Sequence, residues 1–324
     1  MTAVAAPFPP APPSQPSPSA DRTSAPIDLK RVRRLFSTPA GVAESGFLRR
    51  EIAGRMFERL ELIKVAPGLV LDAGCGDGAD LPVLRQRFGS ARLLGVDASA
   101  AMLEAARASQ TAAQSSMNRL LQRWLPKSAH APGIGAELAC ADFARLPFAA
   151  GSADLVWSNL ALHWHPQPHR VFAEWRRVLR VDGLLMFSCF GPDTFKELRS
   201  AWAAAGPQPR VLPFVDMHDF GDMLIDAGFA TPVMDMEAVT VTYSDPQKLL
   251  QDMRAWGGNP LAIRSRGLVG RAAYRRMLDA LETGRRDDGT LPLTFEVVYG
   301  HAFCPAPRTT SSGEAIIRFD RPKK

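Results

Sequence analysis

Cysteine is scarce in this chain. Four are present in 324 residues (Cys75, Cys140, Cys189 and Cys304), and no two stand in Cys-x-x-Cys spacing. That excludes paired-thiol metal sites and dithiol redox motifs, and free thiols buried in a reducing compartment are the expectation. Long apolar runs are absent too. None reaches the roughly 18 residues that a membrane span needs. The first residues lack the basic start and apolar centre of a signal peptide. Lys and Arg exceed Asp and Glu by 39 to 33, a net charge of +6, yet no Lys/Arg run of the kind that binds nucleic acid occurs. The basic end Arg321-Pro322-Lys323-Lys324 reads as a solvated tail. No internal repeat is visible. A cytoplasmic protein without membrane or nucleic-acid partners is expected, its oligomeric state open. The positive charge suits an acidic partner.

Hydrophobic residues make up 46% of the chain, enough for one large α/β domain. Residues 1–28 are rich in Pro, Ala and Ser and read as a disordered tail. Residues 29–65 read as helical. Leu29, Val32, Leu35 and Phe36 form one stripe, 38–41 breaks it, and Leu48, Ile52, Met56, Leu60 and Ile63 form a second. Arg49, Arg50 and Arg55 lie off that stripe, as on a solvated basic face. The loop 38–45 could cover a ligand pocket. Strands are predicted at 68–73, 91–96, 136–141, 154–159 and 184–190, alternating with helices at about 78–88, 99–108 and 168–179. Residues 180–183 read as a turn. Such alternation argues for a parallel sheet covered on both faces. Residues 109–135 read as an insertion with a short helix at 118–124. Helices follow at 192–204, 216–227, 246–256 and 268–281, and strands at 233–243 and 294–303. The tail from Cys304 reads as loose, with a possible edge strand at 314–319.

The segment Leu71-Asp72-Ala73-Gly74-Cys75-Gly76-Asp77-Gly78 organises this pattern. Three alternate glycines let a strand turn sharply and present backbone to a ligand at a helix N-terminus. Asp97 ends the next strand, where a carboxylate can hold two ribose hydroxyls. Asp72 stands before the first glycine. A pyrophosphate would be repelled there, whereas a cationic ligand would be attracted. S-adenosylmethionine is therefore favoured over a dinucleotide.

With Ala141-Asp142 and Asp154-Leu155-Val156-Trp157-Ser158-Asn159 added in order, the chain resembles the class I S-adenosylmethionine-dependent methyltransferases over about residues 66–190. The resemblance implies a Rossmann-like α/β fold with a mainly parallel seven-stranded sheet. It implies that Asp72, Gly74, Gly76 and Gly78 cradle the methionine part and that Asp97, Ala98 and Met102 line the ribose side. Asp142 would bond the adenine amine, Phe143 would pack on the ring, and Asn159 and Leu160 would line the far side. Asp also favours helix and turn caps, but the position of Asp142 after a buried strand favours the ligand role.

A narrower resemblance spans 28–301. Segments 158–164 (Ser-Asn-Leu-Ala-Leu-His-Trp), 190–198 (Phe-Gly-Pro-Asp-Thr-Phe-Lys-Glu-Leu) and 291–295 (Leu-Pro-Leu-Thr-Phe) look like the malonyl-acyl carrier protein O-methyltransferases of biotin synthesis. That resemblance implies a malonyl-loaded acyl carrier protein as partner and a helical lid built from 192–215 and 245–290. Lys196, Arg199, Arg264, Arg266 and Trp164 are then candidates to orient the substrate carboxylate. Family members usually carry an aromatic-acid pair with tyrosine in the N-terminal loop, and 39–45 has none. Leu162-His163-Trp164 and 193–199 also resemble a complex I assembly factor that hydroxylates an arginine. That activity, another small-molecule methyl transfer and a pocket used only for binding stay open beside the first reading. His163, His165 and His169 sit on a proline-broken loop without a suitably spaced acidic or cysteine partner. They read as an active-site wall and not as a metal site.

Overall fold

A computed structural model describes residues 27–44, 46–113, 135–206, 211–255, 259–262 and 269–307. The expected tail before residue 27, the 118–124 helix, the 314–319 strand, Arg264 and Arg266 lie outside the described residues.

Helices α1 (Leu29–Leu35), α2 (Pro39–Glu44) and α3 (Gly46–Glu61) precede the sheet. Asp28 caps α1 by accepting from the N–H of Lys30. Pro39, expected only to break a helix, opens α2, because its fixed φ and missing N–H suit a first helical position. The strands and helices of the domain then alternate as β1 (Leu69–Ala73), α4 (Leu81–Arg87), β2 (Arg92–Asp97), α5 (Ala100–Ala113), β3 (Glu137–Cys140), β4 (Ala153–Asn159), α6 (Pro168–Val178) and β5 (Leu179–Phe190). Four more elements are α7 (Lys196–Ala205), α8 (Met217–Asp226), β6 (Ala230–Tyr243) and α9 (Pro246–Ala255). The chain closes with α10 (Arg271–Glu282) and β7 (Leu291–Phe303).

The sheet has seven strands in the order β3-β2-β1-β4-β5-β7-β6. Strands β1 to β5 run parallel, and β7 lies antiparallel between β5 and β6. The expected mainly parallel sheet with helices on both faces is therefore present. Chain order reverses between β1 and β4, and this is where a crevice opens at the carboxyl ends of the strands.

One face buries the α3 stripe Leu48, Ile52, Met56 and Leu60 against Trp157, Leu293 and Phe295. The other buries Val171, Phe172, Trp175 and Val178 of α6 against Leu185, Phe187 and Val298. Each such side chain contributes about 1.5–3 kcal/mol by leaving water. Truncating the fully buried Trp175 to Ala should cost about 3–5 kcal/mol.

Several boundaries move for local reasons. Strand β5 begins at Leu179 and not at Leu184. Asp182 takes φ 64°, and 182–183 bond to Cys304 through Asp182 N–H to Cys304 O (2.8 Å) and Cys304 N–H to Gly183 O (2.9 Å). Cys304 is thus fully buried and not part of a loose tail. Cys140, by contrast, is exposed, because β3 is an edge strand. Helix α7 starts at Lys196 and not at Pro192. The preceding turn is locked to β7: Thr194 Oγ1 donates to Glu296 O and accepts from its N–H, both at 3.0 Å. Glu197 then accepts from the N–H and hydroxyl of Thr294. This is the physical content of the 190–198 segment: it fixes α7 on the sheet.

Candidate functional site

Gly74, Gly76 and Gly78 all have positive φ (86°, 54° and 76°), which l-residues with side chains rarely adopt. At Gly74 a Cβ would also stand 2.4 Å from the Ala161 methyl. The turn is clipped to β2 by Gly74 N–H to Val96 O (2.8 Å) and Cys75 N–H to Val96 O (3.0 Å). Asp97 completes the clip. Its carboxylate accepts from the N–H of Gly76 (3.0 Å) and of Ser99 (2.8 Å). Burial holds the Asp97 carboxyl above the ordinary range, and these two bonds oppose that rise.

A cavity of about 920 Å³, counting its open mouth, lies over this turn. Of the expected cofactor residues, Gly74, Gly76, Asp97, Ala98, Met102, Phe143, Asn159 and Leu160 line it, as does Trp164. Asp72, Gly78 and Asp142 do not. Asp72 lies beneath the turn, 2% exposed, and its Oδ2 has no hydrogen-bond partner. Burial, then the neighbouring Asp80, Asp97 and Asp77, push its pKa well up. Gly78 has φ 76°, and a Cβ there would stand 3.0 Å from the Ala106 methyl. Asp142 Oδ1 accepts from the N–H of Ala144 (2.9 Å), so it caps the turn that presents Phe143.

Four carboxyl groups, Asp72, Asp77, Asp80 and Asp97, crowd the turn, and the cation beside them, Arg49, is one whose sequence position suggested a solvated face. Arg49 lines the cavity, pairs with Asp77 (3.2 Å) and donates to Val42 O (3.2 Å). Its Nε is buried without a partner. Asn159 holds the helix in place by donating to Arg49 O (3.1 Å) and accepting from Ser188 Oγ (2.8 Å). Arg49 pairs with a residue 28 positions on, a relation no local pattern carries. Arg55 pairs with Glu51 and Glu237, both at 2.8 Å.

Helices α1 and α2 cover the cavity. Val32, Arg33, Phe36 and Val42 line it, and Ser99 Oγ donates to Phe36 O (2.8 Å), tying α1 to α5. Val42 thus stands on α2, in the segment without tyrosine that was expected to be a loop. Leu160 lines the far wall at φ 51°, a strained position held by its N–H bonds to Ser188 O and Oγ.

The 3-10 turn Leu162–Trp164 forms the remaining wall. His163 is buried among Trp164, Phe190 and Phe214, with neither ring nitrogen hydrogen-bonded. Burial lowers its pKa to about 3, so it is neutral at working pH. His165 faces Phe143 instead, and its Nδ1 accepts from Gln167 N–H (3.1 Å). Among the described residues no three His, Cys, Asp or Glu side chains group as a metal site.

Trp164 and Phe190 also line a second cavity, about 840 Å³ with its mouth. Its walls come from α7 (Leu198, Trp202), α9 (Leu250, Met253, Arg254) and Tyr274 of α10. Lys196 and Arg199 line neither cavity. Lys196 pairs at the surface with Asp193 (3.0 Å), and Arg199 donates to Thr194 O (2.8 Å). The cation at the second cavity is Arg254, which the sequence signalled weakly: Leu250, Met253 and Arg254 stand at i, i+3 and i+4 on one helix face.

A family model described as a methyltransferase domain matches residues 71–187. The malonyl-[acyl-carrier protein] O-methyltransferase of Laribacter hongkongensis is 46% identical over 297 residues, 90% of this chain and 96% of that protein. The enzyme of the same name from Gallionella capsiferriformans is 45% identical, again over 90% of this chain and 96% of that protein. In structure, the YcgJ protein of Bacillus subtilis matches at a TM-score of 0.53 and 14% identity, over 80% of this chain and all of that one, a likeness of fold.

Proposed function

The chain belongs to the malonyl-[acyl-carrier protein] O-methyltransferase family, and from that premise we propose that it esterifies the free carboxylate of a malonyl group carried by an acyl carrier protein. It is an S-adenosylmethionine-dependent methyltransferase. Two features of the cavity fit that cofactor. The bare backbone at Gly74 leaves a surface that a ligand can approach closely. Asp72, beneath the turn and outside the lining, leaves Oδ2 as an orphan acceptor, and Arg49, in the lining, leaves Nε as an orphan donor; their polarity suits the ammonium and carboxylate of its methionine end.

In this reading Arg49 takes the carboxylate, and Asp72 reaches the ammonium through a water. Asp97 holds the ribose hydroxyls beside Ala98 and Met102. Phe143 packs on adenine, with Asp142 at its amine, and Asn159 and Leu160 close the far side. When bound, the cofactor would supply an electrophilic methyl group on a sulfonium, which an acceptor carboxylate could take up without giving up a proton. The chain's own residues supply alignment and a dry site. A carboxylate is already nucleophilic, so no general base is required. Phe36 and Val42 exclude water from above, Trp164 presents its ring at the acceptor side, and neutral His163 adds no charge there.

The observation that carries the reading is the shared wall. Trp164 and Phe190 border both the cofactor cavity and a second, apolar one, so an acceptor in the second cavity meets the first at those rings. In this reading the described residues of segments 192–215 and 245–290 form the lid. Net charge +6 favours an acidic carrier. Four free cysteines favour a reducing, cytoplasmic setting, and among the described residues no helix is long and apolar enough to cross a membrane. The place in biotin synthesis follows from the resemblance. The test is transfer of label from methyl-labelled cofactor to malonyl-loaded carrier. Label on the carrier is expected. Label left on the cofactor, or an equal signal with unacylated carrier, contradicts the proposal.

A further inference from the structure

The second cavity is larger and more apolar than a malonyl group requires, and one charge stands in it. Among the described lining residues Arg254 alone is charged. It forms no ion pair with any described residue, so its charge is free to meet a ligand. An unpaired guanidinium on an apolar wall attracts an anion. Its position says which one. In the reaction proposed above, the methyl group passes at the Trp164–Phe190 wall that the two cavities share. Arg254 is exposed, so it sits where the cavity meets solvent. The group it meets is therefore the part of the acceptor that stays near water.

Building on the carrier-bound acceptor proposed above, we infer that this cavity is the channel for the carrier's phosphopantetheine-type arm and that Arg254 clasps the arm's phosphate at the mouth. The apolar walls of Leu198, Trp202, Leu250 and Met253 take the aliphatic and amide length of the arm. Asn259 and Tyr274 place polar groups beside it. The thioester then points at Trp164 and Phe190, with the malonyl carboxylate innermost. A guanidinium suits a phosphate because it offers two parallel N–H donors.

The test compares three acceptors: malonyl carrier protein, malonyl phosphopantetheine and malonyl pantetheine, the last without phosphate. Arg254→Met keeps the aliphatic stem and removes the charge. KM should rise about ten- to a hundredfold for the two phosphorylated acceptors, the loss of charge-assisted hydrogen bonds, and stay unchanged for malonyl pantetheine. Arg254→Lys should restore most of the loss, since a phosphate accepts a point charge. Unacylated phosphopantetheine should change the fluorescence of wild type, whose Trp164 and Trp202 line the cavity, at concentrations that leave Arg254→Met unaffected. Equal losses on all three acceptors would assign Arg254 to the acyl carboxylate or to packing and overturn the inference. So would no loss on any. Wild type that methylates none of the three would instead refute the proposed reaction, a separate outcome.

Discussion

Replacing Asp97 by Ala separates a turn clip from a ligand contact. In the ligand-free protein Asp97 accepts two backbone N–H groups, from Gly76 and Ser99. Losing both costs about 1 kcal/mol each in stability. The charge itself is unfavourable there, since burial raises its pKa, and removing it returns part of that cost. The net change in stability should stay within about 1–2 kcal/mol. Cofactor affinity should fall further. Two ribose hydroxyls lose a charged acceptor, about 2–3 kcal/mol after water refills the site, or roughly 30- to 140-fold in Kd. Calorimetry with S-adenosylhomocysteine measures the loss. A cycle against its 2′,3′-dideoxy analogue isolates the hydroxyl contribution. Unchanged affinity, or a coupling below about 0.5 kcal/mol, would leave Asp97 as a turn clip alone and refute its place at the ribose.

Gly74→Ala combines a positive φ with a Cβ 2.4 Å from Ala161, so a lower melting temperature and loss of cofactor binding are expected by thermal shift and calorimetry. Arg49→Met should weaken S-adenosylhomocysteine by about 1.5–3 kcal/mol, but a ligand lacking the amino-acid end hardly at all. His163→Phe breaks no hydrogen bond and should be neutral or stabilising in thermal unfolding, and the pH–rate profile should carry no inflection from His163 between about pH 5 and 8. Burial holds Asp72, Asp80 and Asp97 above the ordinary carboxylate range. The folded state therefore binds extra protons above about pH 4, and the ligand-free protein should lose stability as pH rises through the raised values. An ammonium-bearing ligand favours ionised Asp72, so its affinity should rise over the same range. Calorimetry in two buffers of different ionisation enthalpy would then show proton release.

Much of this was legible in the sequence, because local patterns recorded it. The stripe Leu48, Ile52, Met56 and Leu60 gave the packed face of α3, and the alternate glycines gave the turn. Asp97 and Asn159 were found because strands deliver their ends to one crevice. Relations between distant elements were not legible. Arg49 looked solvated because its partner Asp77 lies on another element. Lys196 and Arg199 are a nearer case: Asp193 and the Thr194 carbonyl, three and five residues back in the turn before α7, take them up. Cys304 looked loose, since its burial comes from a turn at Asp182 in a strand far away in the chain. The second cavity has walls from three helices that no single window spans.

The most direct measurement of the central claim is intact mass of the malonyl carrier after incubation with the protein and S-adenosylmethionine, with ejection of its prosthetic arm to locate the change. A gain of about 14 mass units, one CH₂, on the acyl end of the arm is expected. A carrier of unchanged mass under conditions where the cofactor binds would contradict the claim, as would a gain of oxygen mass on a protein arginine.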